Sequence, residues 1–199
     1  MQSMTVEEKA GLIENEAAGY LKSRYDDVFT PVSYTGVKFA YGFNTVKFRS
    51  SRFGGGIFTV RVYEDNGVFT FSDDYFRLYM KDEADKFISA AVKKHIKKFT
   101  VDVGFYAGEL PAIAAEKPSF ADYVKTGQCL ADIKIYPAGS CGDVNEEETV
   151  KSIEETGVTG NCRFIYLRDP GNGETPGEIY NRHPECIEGI SDYLLGKEK

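Results

Sequence analysis

Between residues 5 and 25 the apolar side chains Leu12, Ile13, Ala17, Tyr20, Leu21 and Tyr25 recur at helical spacing, while Glu14, Glu16, Lys22 and Arg24 fall off that stripe. A period near 3.6 predicts an amphipathic helix whose stripe needs a sheet or a second helix to cover it. Thr5, with Glu8 three residues on, predicts a capping box at its start. The period then changes to two. Residues 32–39, 46–49, 57–64 and 68–71 read as strands, most plainly where Phe58, Val60 and Val62 alternate with Thr59, Arg61 and Tyr63. The join Glu64-Asp65-Asn66-Gly67 predicts a type I′ hairpin, because Asn-Gly supplies both positive-φ positions.

Residues 73–99 return to a helical pattern, predicted in two pieces. Asp82 and Asp85 cap the longer piece, and Phe87, Ile88, Ala91, Val92, Ile96 and Phe99 form its buried face. A strand over 101–106 follows. Beyond Pro111 the texture shifts to a helix at 120–125, a strand at 130–136, a helix at 146–155, a strand at 163–167 and a last helix within 185–195. Clustered helices and strands around a hairpin favour an α+β fold over a doubly wound parallel one. The expectation is a long helix on a curved, mostly antiparallel sheet, with an additional α/β segment at the C-terminus. Residues 1–199 are read as a single domain, divisible into a 1–111 helix-plus-sheet core and a 112–199 extension.

Residues 19–105 resemble a group of uncharacterised bacterial proteins with a cystatin-like or NTF2-like shape. The likeness is carried by Tyr20-Leu21 and Tyr25 closing the first helix, Phe58-Thr59-Val60-Arg61-Val62 with its Asn-Gly turn, and Asp73-Asp74-Tyr75 before the long helix. What it implies is a long helix cradled by a curved antiparallel sheet. It brings no activity with it.

Composition and charge narrow the function classes. The net charge of −7 repels phosphate at long range, so no nucleic-acid partner is expected without a concentrated basic patch. No run of 18 or more apolar residues exists, so no membrane span is expected. The first residues lack a signal-peptide pattern, which points to the cytoplasm; an exported protein already freed of its leader would read the same. Thirteen Tyr and 14 Phe without a Trp suit half-exposed sheet surfaces. Cys129, Cys141, Cys162 and Cys186 are at least twelve positions apart in a chain larger than a stapled secreted domain, which favours reduced thiols.

Candidate chemistry is sparse. Gly54-Gly55-Gly56 lies in the arginine-rich stretch 47–63, but no Gly-x-x-x-x-Gly-Lys-Ser/Thr pattern is present and a strand follows. A hairpin bend is the better reading, with Arg49, Arg52 and Arg61 as solvated or edge-strand charges. The run Lys93-Lys94-His95-Ile96-Lys97-Lys98 suits an acidic partner, or equally the negative end of a helix. His183-Pro184-Glu185-Cys186 has the spacing of a metal knuckle without the second pair that structural zinc requires, so no metal or other cofactor is expected. Cys141 in its Gly-Ser-Cys-Gly loop is a nucleophile candidate, with His183 as base only by elimination. Among the carboxylate pairs Asp26-Asp27, Asp73-Asp74 and 146–148, Asp73-Asp74 stands where a strand meets a helix; capping competes there with an acid–base role.

Three functions follow. The first is a non-catalytic binding or interaction module with an unknown protein or small-molecule partner, a homodimer included. The second is an NTF2-like pocket between helix and sheet, ligand-binding or enzymatic, lined by Tyr34, Phe39, Tyr63 and Asp74. The third is a redox or metal function of the cysteine-bearing C-terminal part.

Overall fold

The computed structural model describes residues 5–37, 42–106, 119–127, 129–139, 142–168 and 173–196. They divide into two compact units, the first ending at residue 79 and the second starting at residue 80. Helices and two four-stranded open sheets make the fold α+β.

The first unit begins with α1, Val6–Arg24. Thr5 Oγ1 accepts the Glu8 amide at 3.2 Å and Glu8 Oε2 accepts the Thr5 amide at 2.8 Å, so the expected capping box forms. Strands β1 (Phe29–Thr35), β2 (Asn44–Ser50), β3 (Ile57–Asp65) and β4 (Val68–Asp73) then run in antiparallel order β1-β2-β3-β4. Asn66 and Gly67 take φ values of 51° and 79°, as the predicted hairpin requires. Ile13, Ala17 and Leu21 of α1 share a core with Val46, Phe48, Phe58, Val60 and Val62, all fully buried. Leu12, expected in the stripe, is exposed, so the buried face of α1 is narrower than its pattern implied.

Polar contacts fix where this helix ends. Asp73, 8 % exposed, accepts Tyr20 Oη at 2.7 Å, Tyr25 Oη at 2.9 Å and the Tyr75 amide at 3.0 Å. Asp27 accepts from Ser50 Oγ, from Tyr75 Oη at 2.8 Å and from the Arg52 amide at 3.1 Å. A carboxylate withdrawn from water is tolerable only when hydrogen-bonded, and donors here come from both helix and sheet.

Helix α2 spans Phe76–Val92 as one piece. Asp82 and Asp85 therefore lie inside it rather than capping it. Their placement follows from Asp73, whose side chain already binds the Tyr75 amide and lets the helix start early. The helix also stops before residues 93–98, which form the turn into β5 (Phe99–Phe105).

The second unit continues with α3 (Phe120–Lys125), β6 (Leu130–Pro137), α4 (Glu146–Glu154), β7 (Thr159–Leu167), α5 (Pro176–Arg182) and β8 (Ile187–Leu195). The sheet order is β5-β6-β7-β8; β6 and β7 are parallel, joined through α4, and the other pairs are antiparallel. Asp85 of α2 accepts the amide of Val103 on the edge strand β5 at 2.8 Å, a side-chain substitute for a missing neighbouring strand. The expected helix within 185–195 is instead the strand β8. Its residues alternate between half-buried and exposed up to the buried Leu195, and pairing with β7 satisfies one side of its backbone. The real helix nearby is α5, opened by a capping box between Thr175 and Glu178 with Pro176 in its first turn.

Replacing Asp73 with Ala strands two tyrosine hydroxyls and an amide. We expect a loss of about 2–4 kcal/mol in urea unfolding, since each orphaned buried group costs about 1–3 kcal/mol. A loss below about 1 kcal/mol would show that water replaces the carboxylate without difficulty.

Candidate functional site

Strand register sorts the predicted site residues by face. Tyr34 pairs with Val46 and so points to the core side, where its hydroxyl donates to Asn44 Oδ1 at 2.9 Å. Tyr63 pairs with Thr70 on β4, and with Arg61 and Thr59 it belongs to the opposite, solvent side. The two tyrosines thus stand on opposite sides of one sheet and do not converge. Phe39 lies outside the described residues. Asp74 continues β4 by one rung: its amide donates to the Thr59 carbonyl at 3.1 Å and its carboxylate accepts the Thr59 amide. Its other oxygen faces Arg77 Nε at 3.4 Å. Burial raises the Asp74 pKa; the Thr59 amide and Arg77 oppose this.

The solvent side of β1–β4 gathers what the sequence left scattered. Thr45 and Arg61 pair across β2 and β3, with Ser72 next on β4; Lys47 pairs with Thr59, and Arg49 with Ile57. Lys47, Arg49 and Arg61 are exposed, in three adjacent rungs of two interior strands. Arg49 and Arg61 thus lie on a sheet face of interior strands, not on an edge strand. At one end the Phe43 and Tyr63 rings lie 5.3 Å apart, and the Arg61 guanidinium sits 5.6 Å from the Phe43 centroid. At the other end the chain turns through Gly54 and Gly55, with φ of 59° and 84°. These glycines make the expected bend between β2 and β3. A Cβ on Gly55 would meet Arg49 Cδ at 3.5 Å, so the bend also gives the Arg49 stem a surface to lie on. The alternation Thr45-x-Lys47-x-Arg49 between buried Val46 and Phe48 was the signal that places Lys47 here.

The remaining candidates are tied into the fold. Asp27 belongs to the network already described: burial works to raise its pKa, but the bonds from Ser50, Tyr75, Ser51 and the Val28 amide outweigh it and hold the carboxyl below its usual range. Glu146 of α4 accepts Tyr166 Oη, Tyr193 Oη at 2.8 Å and Ser191 Oγ at 3.3 Å. Burial pushes the Cys129 thiol up to about 12; burial and the charge of Glu146 do the same to Cys162. Cys186 is also buried, and these three thiols are free; Cys141 lies outside the described residues. His183 sits between Glu174 at 2.8 Å and Glu185 at 3.1 Å. Among the described residues no group of three His, Cys, Asp or Glu side chains is placed to hold a metal ion. No described helix is long and apolar enough to cross a membrane.

Comparison with protein-family models, curated proteins and solved structures returned no match. The functional reading therefore rests on the geometry above.

Two outcomes follow from these environments. Burial, then the hydrogen bond to and charge of Asp73, raises the Tyr20 hydroxyl pKa; burial, then the Asp73 charge, raises that of Tyr25. Above a pH of about 10 the unfolded tyrosines lose protons that the folded ones keep, so stability is intact below that pH and falls as pH rises beyond it. Urea unfolding at increasing alkaline pH should show this slope, and Tyr25→Phe should flatten it; an unchanged slope would remove Tyr25 from the account. Iodoacetamide at pH 8 should leave Cys129 and Cys162 unmodified in the folded chain and label both in urea. Rapid native labelling of either, read by peptide mass spectrometry, would contradict their burial.

Proposed function

We propose that this chain is a non-catalytic interaction module that receives a partner protein on the solvent side of β1–β4. The observation that carries this reading is the exposed set Lys47, Arg49 and Arg61 on one sheet face of a chain whose net charge is −7. Like charges on neighbouring rungs repel one another, and an acidic partner surface relieves that repulsion while steering its own approach. Lys47 and Arg49 form no ion pair with another described residue. Phe43 and Tyr63 add an aromatic margin of the kind enriched where proteins meet.

A protein partner fits better than nucleic acid, which typically calls for about 6–10 phosphate contacts, well beyond three cations. The pocket alternative has less support. Where it would lie, between α1 and the sheet, Ile13, Ala17 and Leu21 pack directly on Val46, Phe48 and Val60 with no exposed surface. A cystatin-like relationship for the helix-then-strands order of α1 and β1–β4 is part of the same proposal.

The test reverses charge on this face. Lys47→Glu with Arg61→Glu should leave the chain folded, because both side chains are exposed and loss of the Arg61 contact with Phe43 costs about 0.5–1 kcal/mol. It should abolish capture of a species that the wild-type chain retains, and that species, once purified, should bind the wild-type chain alone. Lys22→Glu, on the helix α1 that packs on the other side of the sheet, should retain it. Capture that survives the Lys47 and Arg61 reversal sinks the proposal.

A further inference from the structure

The lysine run that begins at Lys93 acquires a different meaning once the helix boundary is known. Helix α2 stops at Val92, so Lys93, Lys94, Lys97 and Lys98 occupy the turn into β5 rather than the last helical turn. Cations complement a helix dipole only within about one turn of its end, which accounts for the first two and not the others. All four are exposed, as is Lys86, and none of the five forms an ion pair with a described residue. Ile96, 6 % exposed, anchors the turn beneath them, and His95 Nε2 lies 2.7 Å from Ser152 Oγ of α4.

Beside this turn is an open groove of about 360 Å³ between α2 and the first residue of β5, lined by Asp85, Lys86, Ser89, Ala90, Lys93 and Phe99. Phe99 was expected in the core. It is only half-buried, and with Ala90 it supplies the apolar part of the groove's lining. Asp85, the acidic member of the wall, is occupied: its carboxylate accepts the Val103 amide at 2.8 Å and meets Lys81 Nζ at 3.1 Å. The two lining residues that carry charge without an ion pair among the described residues, Lys86 and Lys93, are both cations.

We infer that this groove docks an acidic segment of a partner protein, with one apolar side chain seated on Phe99 and Ala90 and its carboxylates on Lys86 and Lys93. Charge complementarity selects the partner's sign, and the apolar lining selects a peptide over a bare anion. The surface belongs to the second unit, so it is independent of the sheet face proposed above.

The experiment uses the full chain and a fluorescein-labelled, glutamate-rich peptide carrying one central leucine, followed by anisotropy. Binding should be saturable, should weaken as salt rises, and should fall when the leucine is replaced by serine. Lys86→Glu with Lys93→Glu should weaken it about tenfold or more, the scale of losing close charge pairs. Lys47→Glu with Arg61→Glu should leave it unchanged, which separates this groove from the β1–β4 face. The inference is overturned by absence of saturable binding, by equal loss in both variant pairs, by indifference to the leucine, or by tighter binding of a single-stranded oligonucleotide.

Discussion

The first unit depends on carboxylates that accept hydrogen bonds from tyrosine hydroxyls. Asp73 takes Tyr20, Tyr25 and the Tyr75 amide, and Asp27 takes Tyr75, Ser50, Ser51 and the Arg52 amide. A buried carboxylate lacking such donors would cost several kcal/mol, so the backbone must stay where the donors can reach. Asp73 thereby fixes the end of α1 against the junction of β4 and α2. Asp27 fixes the chain after α1 to the bend between β2 and β3. Tyr75 belongs to both sets, and its ring also contacts Tyr25, Phe29, Phe53 and Phe58. One residue thus joins the polar lattice to the aromatic core.

The second unit uses the same device with other elements. Glu146, in the first turn of α4, gathers Tyr166 from β7 and Tyr193 and Ser191 from β8. A negative charge at a helix N-terminus is favoured by the helix dipole, and three hydroxyls supply the hydrogen bonds that burial removes. Here the clamp holds the crossover helix of a β-α-β unit to β7 and to the edge strand β8. With no tryptophan, tyrosine is the residue that offers this chain both a large apolar ring and a donor at its tip.

How much of this the sequence disclosed depended on the range of the interactions involved. Local patterns were legible: the capping box at Thr5, the Asn66-Gly67 turn and the alternation in β3 rest on neighbours within a few residues, and all appear as read. The last segment was misread because Ile187, Ile190 and Leu194 fit helical spacing as well as they fit a strand. Only pairing with β7 decides between them, and that partner is over twenty residues away. Helix α2 was split for a similar reason. Asp82 and Asp85 resemble a cap in isolation, yet Asp85 answers to Val103 on β5. Among the site candidates, Tyr34 and Tyr63 were grouped as lining one pocket between helix and sheet. Their faces depend on register, and register places them on opposite sides of the sheet. Asp74 was correctly singled out as lying at the rim where strand meets helix, while its bond to Thr59 could be learned only from the paired strands.

Carboxylates and cations are placed in opposite ways in this molecule. Catalysis by a carboxylate or thiol needs that group withdrawn from water and still uncommitted, because a group saturated with structural hydrogen bonds has no capacity left for a substrate. Asp27, Asp73, Asp85 and Glu146 each accept two or more hydrogen bonds from donors of the fold, and burial holds Cys129 and Cys162 in the unreactive thiol form. Lysines and arginines are arranged in the opposite way. Lys47 and Arg49 on the first sheet, and Lys86 and Lys93 beside Phe99, stand in water without a structural partner among the described residues. Carboxylates thus serve the architecture of each unit while these cations stand at its surface, and it is on that asymmetry that the proposed interactions rest.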